Sequence, residues 1–131
     1  MTGHELLVSY VGSLETGDPD QILKHFAAGA QVHSPLYGDL PAPEFFAEML
    51  AHTGRSETRI RNVFTSQANP RAAAVHFTYH WTLADGTPAR LEVVDVFRLT
   101  EDCTGIDDLT IIHDTAGLRD AIDRSADDGR S

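Results

Sequence analysis

Cysteine is almost missing from this chain: Cys103 is the only one in 131 residues. An internal disulfide is therefore excluded, and a reducing compartment fits best. Lysine is equally scarce. Lys24 is the one lysine among ten basic residues, which stand against 20 acidic ones for a formal charge of −10. A surface of that sign repels phosphate backbones and no basic run offsets it, so nucleic-acid partners are not expected. No apolar stretch approaches the ~18 residues of a membrane span, and the opening "MTGHELLVSY" lacks a basic segment leading into an apolar run. A cytoplasmic protein without membrane association is expected. There is no Gly-rich phosphate loop and no cluster of metal ligands, so neither an organic cofactor nor a metal is expected. His76 and His80 are four residues apart, which would bring them together on a helix but separates them by ~13 Å on a strand.

What is present is a change of period. Residues 4–16 carry Leu6, Leu7, Tyr10, Val11 and Leu14 at helical spacing, and Gly17 ends the run. The following "DPDQILKHFAAG" offers Asp18 as N-cap and Pro19 at the first helical position, so a second helix is predicted up to Gly29. A short strand, "AQVHS", leads to a third helix in "PEFFAEMLAHTG". From residue 57 the period becomes two. "ETRIRNVFTSQ", "AAAVHFTYHWTL", "ARLEVVDVFRLT" and "IDDLTIIHD" read as strands joined by turns. The tail from Arg119 onward is acidic and is expected to fray. The chain is thus read as a single α+β domain over 1–118, with three N-terminal helices packed on one face of a mostly antiparallel sheet.

Register then selects the residues of the inner face. A three-residue loop, Ala84-Asp85-Gly86, pairs Trp81 with Ala89, Tyr79 with Leu91, Phe77 with Val93 and Val75 with Asp95. A two-residue turn would instead set apolar faces beside polar ones. The longer loop places Asp95 on the apolar face between Val93 and Phe97. An ionised carboxylate is costly there without a partner. The predicted pocket wall comprises Phe77, Tyr79, Trp81, Leu91, Val93 and Phe97.

The opening "YVGSLETGDPDQILKHFAAGAQVHSP" and the later "VVDVFRLTEDCTGIDDLTIIHD" resemble the nuclear transport factor 2-like superfamily, in its ketosteroid isomerase and SnoaL-like polyketide cyclase branch. The resemblance spans roughly residues 4–118 and implies a cone-shaped fold. It also implies roles. Tyr10 falls where ketosteroid isomerases keep a tyrosine that donates to the substrate oxyanion. Asp95 falls where they keep a carboxylic acid held neutral by apolar surroundings, the best-known example of that device. Ser34 stands where they carry the proton-shuttling aspartate, and a hydroxyl cannot replace it as a base at neutral pH. The resemblance further implies an apolar carbonyl-containing ligand of polyketide, steroid or terpenoid type, and a homodimer through the outer sheet face bearing His76, Thr78, His80, Arg90 and Glu92.

Each role has a plainer counterpart: Asp95 as a structural buried acid, Tyr10 as core packing, Ser34 as a pocket-lining turn residue. His113 is the residue type suited to proton transfer near neutrality. It shares a face with Leu109 and Ile111, although Thr110, Ile112 and Asp114 form a competing alternation. The function expected is that of a cofactor-free isomerase or cyclase. The alternatives are a binding protein that has lost catalysis, and an interaction module that uses its outer sheet face.

Overall fold

The structure is a computed structural model that describes residues 2–130, with side chains through Arg124. Helix α1 (Gly3–Ser13) is capped by Thr2, whose hydroxyl accepts from Glu5 N at 3.1 Å. A short turn follows, and Gly17 (φ +65°) reverses the chain into α2 (Pro19–Leu23), capped by Asp18. Two strands, β1 (Phe26–Ser34) and β2 (Gly38–Pro41), precede α3 (Ala42–Ala51). Four long strands come next: β3 (Thr53–Thr65), β4 (Ala72–Leu83), β5 (Pro88–Leu99) and β6 (Ile106–Ile112). The chain closes with α4 (Leu118–Arg130). All strands form one sheet in the order β2-β1-β6-β5-β4-β3, antiparallel except where β1 lies parallel to β6.

The α+β class and the mostly antiparallel sheet agree with the sequence reading; three details do not. First, α2 stops at Leu23 because Phe26 already pairs with Ile106. Gly29 (φ +80°) lies in the register irregularity between Phe26 and Gln31 of β1 rather than capping a helix. A left-handed glycine serves a helix end and a strand irregularity equally well, so sequence alone does not separate them. Second, the helices do not all come first, since β1 and β2 intervene before α3 and α4 is C-terminal. Third, the expected frayed tail is helical from Leu118 to Arg130. Leu118 and Ile122 are buried, and Arg119 donates from its guanidinium to Pro35 O (2.8 Å) and Leu36 O (3.4 Å). Two apolar residues at i and i+4 suffice to dock the helix, and the surrounding acidic residues hide that signal. Ser131 lies outside the described residues.

The core sits between the inner sheet face and the helices. Val75, Phe77, Val93, Phe97 and Leu109 meet Leu7, Tyr10 and Phe46. At the sheet edge His33 bridges two strands, with Nδ1 2.9 Å from Asp39 on β2 and Nε2 2.9 Å from Asp108 on β6. These two carboxylates hold its imidazole above its ordinary pKa.

Candidate small-molecule site

The β4–β5 register is the one the three-residue loop dictates: Trp81 opposite Ala89, Tyr79 opposite Leu91, Phe77 opposite Val93 and Val75 opposite Asp95. The loop closes with Leu83 N donating to Thr87 O at 2.8 Å, and Gly86 is left-handed at φ +90°. These pairings turn Phe77, Tyr79, Trp81, Val93 and Asp95 onto the inner face, where they wall a cavity under the helices. Helix α1 adds Tyr10, and α3 adds Phe45 and Met49 at i and i+4. The half-exposed members Leu36, Tyr37, Leu91, Ile111, His113 and Ser34 form its rim. The centre of a water-sized sphere has about 50 Å³ to occupy inside. That is room for roughly three waters, or ~90 Å³ of liquid, the size of one six-membered ring.

The floor of this cavity is electrostatically unusual. Asp95 is 2% exposed, with Val75 and Ile111 opposite it on the neighbouring strands and Val93 and Phe97 beside it. Its Oδ1 has no hydrogen-bond partner. Burial alone lifts its pKa to about 8. The group is therefore a neutral carboxylic acid at pH 7 and has an O–H to donate.

Tyr10 lies edge-on to Phe26, Phe46 and Phe97, with ring centroids 5.3, 6.2 and 5.7 Å away. Burial, then the Asp95 and Tyr79 side chains, push its hydroxyl well above the ordinary tyrosine value, so it too remains a donor. Tyr79 is lifted to about 12 by burial, with the Ser56 hydroxyl acting against the rise and Asp95 adding to it.

Ser34 reaches the rim, but its hydroxyl is engaged. Oγ accepts from Leu36 N and Tyr37 N, both at 3.1 Å, and so holds the turn into β2. His113 lies just past β6 on the face of Leu109 and Ile111, which settles the two competing alternations. Its Nδ1 is 2.9 Å from Asp114 O. A carbonyl can only accept, so the bond assigns a proton to Nδ1, and in the neutral ring the lone pair is on Nε2.

One expected wall residue does not reach the cavity: Phe97 packs behind Tyr10 in the core. Phe45, Met49, Leu36, Tyr37 and Ile111 were missed. The i, i+4 pair on α3 was legible as an inward stripe, whereas the Leu36-Tyr37 contribution depends on how the Ser34 turn folds back. Trp81 is satisfied, its Nε1 donating to Thr53 Oγ1 at 2.8 Å.

On the opposite sheet face, Thr78 Oγ1 donates to Glu92 (3.0 Å) and accepts from Arg61 Nε (3.0 Å), and His76 Nε2 lies 3.0 Å from Glu92. Among the described residues no group of three His, Cys, Asp or Glu side chains is placed to hold a metal, and no helix is long and apolar enough to cross a membrane.

A sequence profile described as the SnoaL-like domain matches residues 7–104. No curated protein matches the sequence. Three solved structures share the fold at low identity. The BvnE pinacolase from Penicillium brevicompactum is 15% identical over 95% of this chain and 92% of its own, with a TM-score of 0.76. TerC, co-crystallised with polyporic acid, is 19% identical over 92% and 98%, with a TM-score of 0.75. The epoxide hydrolase/cyclase-like enzyme SalBIII, of pyran ring formation in the polyether salinomycin, is 19% identical over 87% and 92%, with a TM-score of 0.74.

Proposed function

Since the chain belongs to the SnoaL-like domain family of the nuclear transport factor 2-like superfamily, we propose that it is a small-molecule enzyme, a cofactor-free isomerase or cyclase that enolises a carbonyl compound. The observation that carries this reading is the neutral Asp95 carboxyl, buried and unpaired at an apolar cavity. The ligand carbonyl oxygen accepts from Asp95 and from the Tyr10 hydroxyl. Both donors strengthen as charge develops on that oxygen, which lowers the barrier to enolate formation. His113 Nε2, with its lone pair at the rim, takes the α-proton and returns it at another carbon. No step needs a metal or organic cofactor. The cavity admits one ring, so a steroid- or polyketide-sized compound would place only its reacting end inside.

The test uses 4-fluorophenol, whose hydroxyl mimics the enol and whose fluorine reports binding by NMR. Asp95→Asn keeps an N–H donor and should bind within about tenfold of wild type. Asp95→Ala should lose ~10–100-fold, the value of one hydrogen bond to a charged or partly charged oxygen. Equal affinities in the two variants would mean that residue 95 does not touch the ligand. A second reading, a binding protein without turnover, is favoured by one observation: Ser34 is tied into its turn and, among the described residues, no carboxylate stands at the rim. Turnover of a small enolisable ketone by wild type, lost in His113→Gln, separates the two.

The outer sheet face is the proposed dimer contact. Three of the four exposed large apolar side chains among the described residues, Phe64, Val96 and Ile112, lie on it beside the His76–Glu92 pair. Light scattering should give twice the 14.3 kDa chain mass at tens of micromolar, and Val96→Asp should give the single-chain mass. A monomeric wild type at that concentration removes the proposal.

A further inference from the structure

Asp95 is not alone in lacking a partner. The Tyr79 hydroxyl is also buried without a hydrogen bond, although its residue lines the same cavity. The ring has little freedom to turn away, packing edge-on to Phe77 (6.2 Å, 87°) and tilted on Trp81 (5.9 Å, 41°). Ser56 is near enough to lower the Tyr79 pKa, but its hydroxyl, which donates to Leu14 O at 3.2 Å, lies outside hydrogen-bond geometry with Tyr79. Trp81, one position along the same face, has its N–H satisfied by Thr53. The orphaned hydroxyl is therefore a specific feature and not a general looseness of the wall. A buried hydroxyl without a partner lowers stability, and groups kept in that state cluster at binding sites, where a ligand supplies the partner.

Position adds the second step. Tyr79 and Val75 lie four residues apart on β4, and Val75 is the residue opposite Asp95. Their backbones thus enter the cavity from points about 13 Å apart along the strands. We infer that Tyr79 is a second oxygen anchor, and that the compound this cavity takes is a single-ring or similarly small neutral molecule with two oxygen functions. One oxygen meets the Asp95–Tyr10 end and the other the Tyr79 hydroxyl. Hydroxyketones, diketones and dihydroxylated rings are the matching chemical class. The inference rests on the proposed site reading, and it adds a requirement which that reading lacks. A compound with one oxygen leaves Tyr79 unpaired and binds less well for that reason.

Competition against 4-fluorophenol, followed by fluorine NMR, tests this with phenol, resorcinol and hydroquinone as probes. At least one of the two diols should bind wild type about tenfold or more tightly than phenol. In Tyr79→Phe the diols should lose this advantage and bind no more tightly than phenol. The ligand-free Tyr79→Phe protein should melt a few degrees above wild type, because the orphaned hydroxyl has gone. The anchor is overturned if neither diol outcompetes phenol, if the diol advantage survives in Tyr79→Phe, or if that variant melts below wild type. In those cases a loss of 4-fluorophenol binding in Asp95→Ala leaves the site reading standing. A 4-fluorophenol affinity that ignores Asp95→Ala overturns both.

Discussion

Asp95→Asn is expected to stabilise the ligand-free protein, and to do so increasingly as the pH is raised from 5 to 9. In the unfolded chain an aspartate loses its proton near pH 4, whereas burial holds the folded Asp95 up to about 8. Between these values the folded state keeps a proton that the unfolded state has released. Stability therefore falls as pH rises through that window, and the whole penalty stands above pH 8. Each pKa unit by which folding displaces the group is worth ~1.4 kcal/mol. The difference between wild type and Asp95→Asn should thus be small at pH 5 and reach several kcal/mol at pH 9, with roughly 5 as its upper end. Urea midpoints at the two pH values measure it. Parallel profiles would mean that the carboxyl is ionised and paired in the folded protein, and the proposed donor role would go with its neutrality.

That penalty explains why Asp95 could be found from sequence. Alternation over two strands and one loop length placed an acid on an apolar face, and a contradiction of that kind is visible without coordinates. The same arithmetic produced the inward set Phe77, Tyr79, Trp81, Leu91 and Val93. Other features depend on contacts between distant segments, which periodicity does not encode. Phe97 has the same face as Asp95 but is taken up by the Tyr10 ring. The Leu36-Tyr37 rim exists because the Ser34 hydroxyl folds the turn and Arg119 of α4 holds it from 83 and 84 residues away. The unpaired state of Tyr79 was illegible for the same reason, since it follows from how side chains from several elements pack around its hydroxyl. Gly29 was misread because one backbone conformation serves two purposes.

Ser34→Asp is expected to raise isomerisation of a small β,γ-unsaturated ketone, cyclohex-3-enone, to its conjugated isomer by about 10²-fold. The argument begins with the turn. Ser34 Oγ accepts from two backbone N–H groups, and an aspartate at that position can make the same bonds through one carboxylate oxygen, since Asp and Ser favour the same local turns. The variant should therefore fold. The second oxygen then stands at the cavity rim, near a carbonyl held by Tyr10 and Asp95. Two opposing influences set its pKa. Partial burial raises it, while the amides of Leu36 and Tyr37 favour the charged form and lower it. The carboxylate consequently stays ionised at neutral pH, as a base must, but remains weaker than one raised toward 7. General-base placement contributes ~10²–10⁴-fold, and a base held down by two amides belongs at the lower end. Absorbance of the conjugated enone follows the reaction. Tyr10→Phe in the same background should remove most of the gain, since the enolate then loses a donor. A folded Ser34→Asp protein that binds the ketone and shows no gain would place the reacting carbon out of reach of residue 34. His113 would then be the base to test next.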